Sequence, residues 1–176
     1  MFQDCTSLAQ APALPATKLA TGCYSGMFRD CTNLTQAPSL PATTLADSCY
    51  ARMFRDCTSL IQAPALPSTR LVNGRYSGMF QGCTSLKLSS TKTDEYTQEY
   101  RIPFSGNGTG ASDALADMFT STGGTFAGTP SINTAYYLSS DNMIVRETEL
   151  ATLNGYVDSM IDAALSKINI AEGGAY

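Results

Sequence analysis

A motif of fixed length repeats through the first half of the chain. The pattern Met-Phe-x-Asp-Cys-Thr-x-Leu begins at Met1, Met27 and Met53, and it begins again at Met79 with glycine in the aspartate's place. The interval is 26 residues each time, so we call 1–26 copy one, 27–52 copy two, 53–78 copy three and 79–88 the partial copy four. A period of about 20 to 50 residues is typical of solenoids, in which each copy buries its apolar face against its neighbours. This period constrains the fold more than any other feature.

Within each copy the apolar residues have helical spacing. Leu19, Cys23 and Met27 fall at i, i+4 and i+8, which predicts a short helix over about Lys18–Arg29. The segment Cys31–Leu34 is predicted as a brief strand, and the prolines that follow predict an extended return. The sequence therefore predicts an α/β repeat solenoid: a leucine-rich-repeat-like, right-handed stack of 26-residue rungs, each with a short helix and a short strand.

Three segments follow from this pattern: an array at 1–88, an irregular segment with a degenerate capping repeat at 89–142, and a C-terminal helix with a tail at 143–176. In the second segment Met118 and Phe119 echo the start of a copy. Such an atypical piece closes the end of a repeat array. The N-terminus shows no counterpart, so we expect a bare edge that a longer protein or a partner covers. Residues 146–168 have amphipathic or coiled-coil spacing, which suits either docking on the array or a homo-oligomer.

Repeated cysteines and aspartates each allow two interpretations. The cysteines form two columns that lack the CxxC spacing of zinc sites, and their stacked placement favours packed thiols over disulfides. Asp4, Asp30 and Asp56 form an acidic column. A calcium site is one interpretation, and side chains that cap backbone N–H groups at a turn are the favoured one. We predict no metal and no cofactor.

Composition excludes several classes of function. The chain has no histidine, which removes Ser-His-Asp and Cys-His catalysis and the commonest zinc ligand. We therefore predict no enzyme activity, with a carboxylate-based hydrolase using Asp113, Asp117 or Asp141 as a remote alternative. The net charge is −4, and the array carries only a small positive surplus, so nucleic acid is not an expected partner. No apolar run is long enough to span a membrane. The N-terminus has no basic-then-apolar pattern, so we expect either a secretion leader on a longer parent protein or export by another route.

Positions that differ between copies are predicted to face solvent, so a recognition surface must be drawn from them. The third position of a copy is glutamine or arginine, the eighteenth is lysine, threonine or arginine, and the twenty-sixth is glycine or arginine. The candidate exposed recognition surface consists of the cationic residues at these positions: Lys18, Arg29, Arg52, Arg55 and Arg70.

The pattern MF-x-D/G-C-T-S/N-L, followed by P-x-L-P and L-x₃-C/R-Y, resembles the BspA-like leucine-rich repeats of bacterial surface proteins. The resemblance covers 1–88, and similar arrays occur in tail-fibre-like proteins of gut bacteriophages. It implies a non-enzymatic binding or adhesion scaffold of a cell surface or phage fibre, extracellular or on a virion, that recognises a protein or glycan. The alternative is a structural spacer or assembly module of a larger surface or virion protein. The resemblance carries no fixed binding residue to this chain.

Overall fold

The computed structural model describes residues 1–68, 71, 73–102, 113–132 and 134–145. The chain divides into two compact units, Met1–Val145 and Arg146–Tyr176. The second unit lies outside the described residues, and so does the helix predicted at 146–168.

Regular secondary structure is sparse in the described residues. Helical conformation there is confined to Asp113 and Ala114, and the remainder is six short strands joined by turns and extended segments. The strands are β1 Gln62–Pro64, β2 Lys87–Ser89, β3 Tyr96–Tyr100, β4 Gly123–Gly124, β5 Tyr136–Ser139 and β6 Met143–Val145.

The strands form one two-stranded and one four-stranded sheet. In the smaller sheet β1 and β6 are parallel. The larger sheet has the order β3-β5-β2-β4, in which β2 is parallel to β4, and β5 is antiparallel to both β2 and β3. This mixed sheet follows the last repeat and closes one end of the unit.

The predicted α/β solenoid of helices and strands is wrong. The stretch Lys18–Arg29 forms no helix: its last nine residues are consecutive turns. The segment Cys31–Leu34 also forms a turn instead of a strand, because the Leu34 N–H donates to the carbonyl of Cys31 at 3.1 Å. The expected irregular segment holds three of the four strands of the larger sheet.

Two alternating sets of hydrogen bonds replace the helix. The N–H of Phe28 donates to the Met53 carbonyl at 2.9 Å, and the N–H of Asp30 donates to the Arg55 carbonyl at 2.8 Å, so every second residue bonds to the following copy. The residues between them donate within their own copy, as Met27 does to the carbonyl of Tyr24 at 3.2 Å. A helix needs every N–H for its own chain, whereas this backbone divides its donors between turns and neighbours.

Every fourth residue of the turn segment has a left-handed backbone. In copies one and two these residues include Gly22, Gly26 and Asp30, with φ of 63°, 57° and 61°. The acidic column therefore occupies a left-handed turn position, and aspartate is one of the non-glycine residues favoured there. Gly82 occupies the same position in copy four, with φ of 77°. The carboxylate of Asp30 accepts a hydrogen bond from the Arg29 side chain at 2.9 Å, not the backbone cap expected from the sequence.

The four-residue period of these turns explains why the apolar residues have the spacing of a helix. Pairs of side chains point inward once per turn, as Cys49 with Tyr50 and Met53 with Phe54 do, and all four are buried. An apolar residue therefore recurs at i and i+4 without any helix. Both structures place residues four apart on one face, and only the hydrogen bonds distinguish them.

Stacked aromatic rings run through the core of the unit. The rings at position two of the copies lie nearly parallel, with centroids 5.7 Å apart between successive members and interplanar angles of 6–11°. A second column stacks tyrosines 5.8–6.1 Å apart. Offset parallel stacking is a favourable arrangement of aromatic rings and adds to the burial of their area. The two columns are Phe2, Phe28, Phe54, Phe80 and Phe119, and Tyr24, Tyr50 and Tyr76.

The C-terminal end of this column is closed. Phe119 stacks on Phe80 with centroids 5.5 Å apart, although 39 residues separate them. Beyond Phe119, the ring of Phe126 lies edge-on at 6.4 Å. The N–H of Phe119 donates to the Gly128 carbonyl at 3.0 Å, and the N–H of Asp117 donates to Thr129 Oγ1 at 2.9 Å. Two outward N–H donors of this last turn segment are therefore already satisfied.

A strand from outside the array completes the stack of glutamines. Gln10 pairs in parallel with Gln36, and Gln36 pairs with Gln62. The repeat interval would pair Gln62 with Leu88 of β2. Gln62 instead pairs with Met143 of β6. The buried Asn142 connects copy three to copy four. Its Oδ1 accepts from the Lys87 N–H at 2.8 Å, and its Nδ2 donates to the carbonyls of Ile61 and Ser85.

All six cysteines are free thiols, and four of them are buried. This confirms packing for Cys31, Cys49, Cys57 and Cys83, whereas Cys5 is exposed and Cys23 is partly exposed. The thiol of Cys57 donates to the Phe28 carbonyl at 3.0 Å, and Cys31 and Cys83 make the same bond to the phenylalanine of the copy before. Arg75, which replaces the third cysteine of the other column, is also buried, and its Nη2 donates to the Leu45 carbonyl.

These thiols predict a loss of stability at alkaline pH. Burial raises the pKa of Cys49 to about 11 and that of Cys57 to about 12, whereas an unfolded thiol has a pKa of about 8.5. Because the folded pKa is the higher one, the stabilisation is complete below about pH 8.5 and is lost as the pH rises toward 12, at about 1.4 kcal/mol per pH unit for each thiol. Urea unfolding between pH 8 and pH 11 measures this slope. The Cys57→Ala variant should show a smaller slope, and equal slopes would contradict the assignment.

Candidate recognition surface

Two of the predicted cationic residues lie next to each other on successive copies. Arg29 and Arg55 both occupy position three, and the Asp30 N–H donates to the Arg55 carbonyl at 2.8 Å, which joins the backbones of the two turns. Their side chains are 41% and 35% exposed. The repeat therefore sets two guanidinium groups side by side at the spacing of the stack.

Each of these arginines pairs with the aspartate that follows it. Arg29 Nε lies 2.9 Å from Asp30 Oδ2, and Arg55 Nε lies 3.1 Å from Asp56 Oδ2. Exposed pairs of this kind stabilise a fold by about 1 kcal/mol at most. Their greater effect is on geometry, since the carboxylate engages Nε and leaves the terminal nitrogens to donate elsewhere.

Arg52 is the third member of the cluster. It is exposed and has a left-handed backbone, with φ of 53°. The Arg55 N–H donates to the Arg52 carbonyl at 3.2 Å, so the two residues share a turn. Its aliphatic stem lies against copy three, because a Cβ built on Gly78 would be 3.3 Å from Arg52 Cγ. We call Arg29, Arg52 and Arg55 the arginine surface.

The other two predicted residues have different positions. Lys18 is exposed and pairs in parallel with Thr44, on the segment that precedes the turns. Arg70 lies outside the described residues. The structure thus brings together three of the five residues chosen from the sequence, and it adds the carboxylates of Asp30 and Asp56. The sequence feature that could have predicted these ion pairs is the Arg-Asp dipeptide at positions three and four of copies two and three.

The described residues contain no group of three His, Cys, Asp or Glu side chains that could hold a metal ion. Of the carboxylates named for the hydrolase alternative, Asp117 accepts from Thr120 Oγ1 at 3.2 Å and Asp141 pairs with Lys87 Nζ at 3.4 Å. Asp113 is exposed. Within the described ranges no helix has the length and hydropathy needed to cross a membrane.

Comparison with known proteins gave no match: no protein-family model, curated protein or solved structure is significantly similar to this chain.

Proposed function

We propose that the chain is a non-enzymatic binding scaffold, which uses the arginine surface to recognise acidic groups of a glycan or protein on a cell surface. The observation that carries the proposal is the placement of Arg29, Arg52 and Arg55 on neighbouring turns of a backbone fixed by inter-copy hydrogen bonds. Rigid elements hold a binding surface in place without an ordering cost on association. The resemblance to BspA-like repeats supports a bacterial surface or phage-fibre setting.

The chemistry of the surface favours ligands with both acidic and hydroxyl groups. Guanidinium groups form paired hydrogen bonds with carboxylate, sulfate or phosphate oxygens. The carboxylates of Asp30 and Asp56 beside them can accept hydrogen bonds from hydroxyl groups. They also reduce the charge of the five residues to +1, which is too small for the counterion-release term that dominates nucleic-acid binding. An acidic glycan meets both requirements.

The repeat itself supplies substitutions that test this surface without disturbing the turns. Glutamine occupies position three in copies one and four, and glycine occupies position twenty-six in copies one and three. The triple variant R29Q/R52G/R55Q therefore carries only residues that the same backbone already accepts. The matched control is Ile61→Thr, because Ile61 is exposed and threonine occupies its position in copy two.

Binding should be measured for the full chain on an array of sialylated, sulfated and neutral glycans, and on whole bacterial cells. We expect the triple variant to lose at least tenfold in binding to acidic glycans or cells, whereas Ile61→Thr binds as the parent chain does. Binding to cells that disappears in the triple variant, without binding to glycans, would identify a protein ligand. Undiminished binding by the triple variant would reject the arginine surface as the site.

A structural or assembly role is the second candidate. The observation that favours it is the outer side of copy one. Its Phe2, Leu8, Leu19 and Tyr24 side chains are partly buried, whereas their counterparts in copies two and three are buried.

A further inference from the structure

The two ends of the repeat stack differ in what they expose. At the end near Phe119, other residues of the chain cover the last ring and accept hydrogen bonds from its backbone. At the opposite end, Phe2 and Tyr24 are only partly buried, although each stacks on its counterpart in copy two. The outer side of copy one therefore keeps the ring faces of two aromatic columns accessible. We call this side the open face.

The open face has a defined hydrogen-bond polarity. In the turn segments, the N–H of the earlier copy donates to the carbonyl of the later copy, as Phe2 does to Met27 and Tyr24 does to Cys49. Copy one has thus used its N–H groups on copy two. The carbonyls that would face outward are the counterparts of those acceptors, and no described residue donates to them. They belong to Met1, Gln3, Thr21, Cys23 and Ser25.

One thiol adds a donor to this row of acceptors. Cys31 Sγ donates to the Phe2 carbonyl at 3.0 Å, and the same contact recurs from copy three to copy two. Cys5 occupies the corresponding position in copy one and is exposed. A complementary surface must therefore supply backbone N–H groups at every second residue, a carbonyl opposite Cys5 and an aromatic ring over Phe2.

We propose that the open face is an interaction surface for a further copy of the 26-residue repeat, which adds to copy one as copy one adds to copy two. The described interface between copies continues through the open face, and the partner's own turn segment supplies each required group. Two molecules of this chain cannot substitute for that partner. Joined by their open faces they would oppose carbonyls to carbonyls, and joined head to tail they would meet the closed end at Phe126.

The experiment joins the sequence of residues 27–52 directly before Met1 of the full chain. Addition in register places a phenylalanine carbonyl over Cys5, so alkylation of Cys5 by N-ethylmaleimide should slow at least tenfold, as followed by peptide mass spectrometry. Hydrogen exchange should also protect alternate amides of the added copy. The matched control carries Phe28→Asp and Tyr50→Asp in the added copy only, and it should leave the alkylation rate of Cys5 unchanged.

Two further measurements make the result decisive. A Phe2→Asp substitution in the fused chain should restore rapid alkylation of Cys5 and abolish protection of the added copy. In the chain without the added copy, the alkylation rate of Cys5 should be independent of protein concentration, and sedimentation should detect no dimer that protects Cys5. Rapid alkylation of Cys5 in the folded fusion would overturn the proposal, and so would dimers that protect Cys5 without any added copy. Neither result bears on the arginine surface, since no ligand is present.

Discussion

Replacing Phe54 with alanine should lower the free energy of unfolding by about 3–5 kcal/mol. The ring of Phe54 is fully buried and lies between those of Phe28 and Phe80, with centroids 5.7 Å away on each side. Removing it leaves a cavity at the centre of the column, which neighbouring copies cannot close without breaking their hydrogen bonds. Two stacking contacts are lost as well, each with a contribution of about 0.5–1.5 kcal/mol.

Urea unfolding followed by circular dichroism measures this loss, and the same column offers its own control. Phe2 is partly exposed, and among the described residues it stacks on one ring only, that of Phe28. The Phe2→Ala variant should therefore lose about 1 kcal/mol, since it removes less buried area and opens no closed cavity. Equal losses for the two variants would show that the stack does not act as the core.

The inward and outward positions of the repeat could be predicted from its fixed and variable columns. Leu34, Leu60 and Leu86 recur unchanged, and all three are fully buried. Arg29 and Arg55 vary against glutamine, and both are partly exposed. A buried position in a stack has identical neighbours above and below, so a change of volume there disturbs two interfaces, whereas an exposed position disturbs none.

The local backbone could not be predicted in the same way. Helices and these turns both return a side chain to one face every four residues, so the apolar pattern fits either. The distinguishing feature is a left-handed conformation at positions such as Ser48 and Arg52, each with φ of 53°. Serine and arginine carry no strong preference for that conformation, and glycine at the matching positions of other copies was the only sequence cue.

The end of the array depends on contacts between residues far apart in the sequence. Asn142 bonds to the Ile61 carbonyl, 81 residues earlier, and β6 pairs with β1 across a similar separation. Neither segment contains a motif from which its pairing partner could be predicted. Such pairings depend on the shape that the rest of the chain has already taken, and a single sequence gives little access to them.

The arginine surface was only partly accessible from the sequence. Copy-to-copy variation identified Arg29, Arg52 and Arg55 as exposed cations, but it could not separate them from Lys18, which lies on another segment. A 26-residue interval places equivalent residues together, and it says nothing about positions three and eighteen of the same copy. Their separation depends on the turns, which the sequence did not predict.

Replacing Gly124 with alanine should destabilise the closed end of the stack by about 2–5 kcal/mol. Gly124 has φ of 87°, and a Cβ there would lie 2.3 Å from the Leu88 carbonyl oxygen and 2.5 Å from the Leu88 nitrogen. These are backbone atoms of β2, so relief of the clash requires separation of β2 from β4. The same carbonyl accepts hydrogen bonds from Thr125 and Phe126, and the separation would also loosen the segment that covers Phe119.

Gly128 provides the matched control for this substitution. A Cβ built on Gly128 has no heavy atom within 4 Å, so Gly128→Ala should change the free energy of unfolding by no more than about 0.5 kcal/mol. Urea unfolding of both variants gives the comparison, and hydrogen exchange locates the loss. In Gly124→Ala, the amides of Thr125 and Phe126 should exchange faster than those of copies two and three. Uniform acceleration along the whole stack would instead mean that the closed end and the repeats unfold as one cooperative unit.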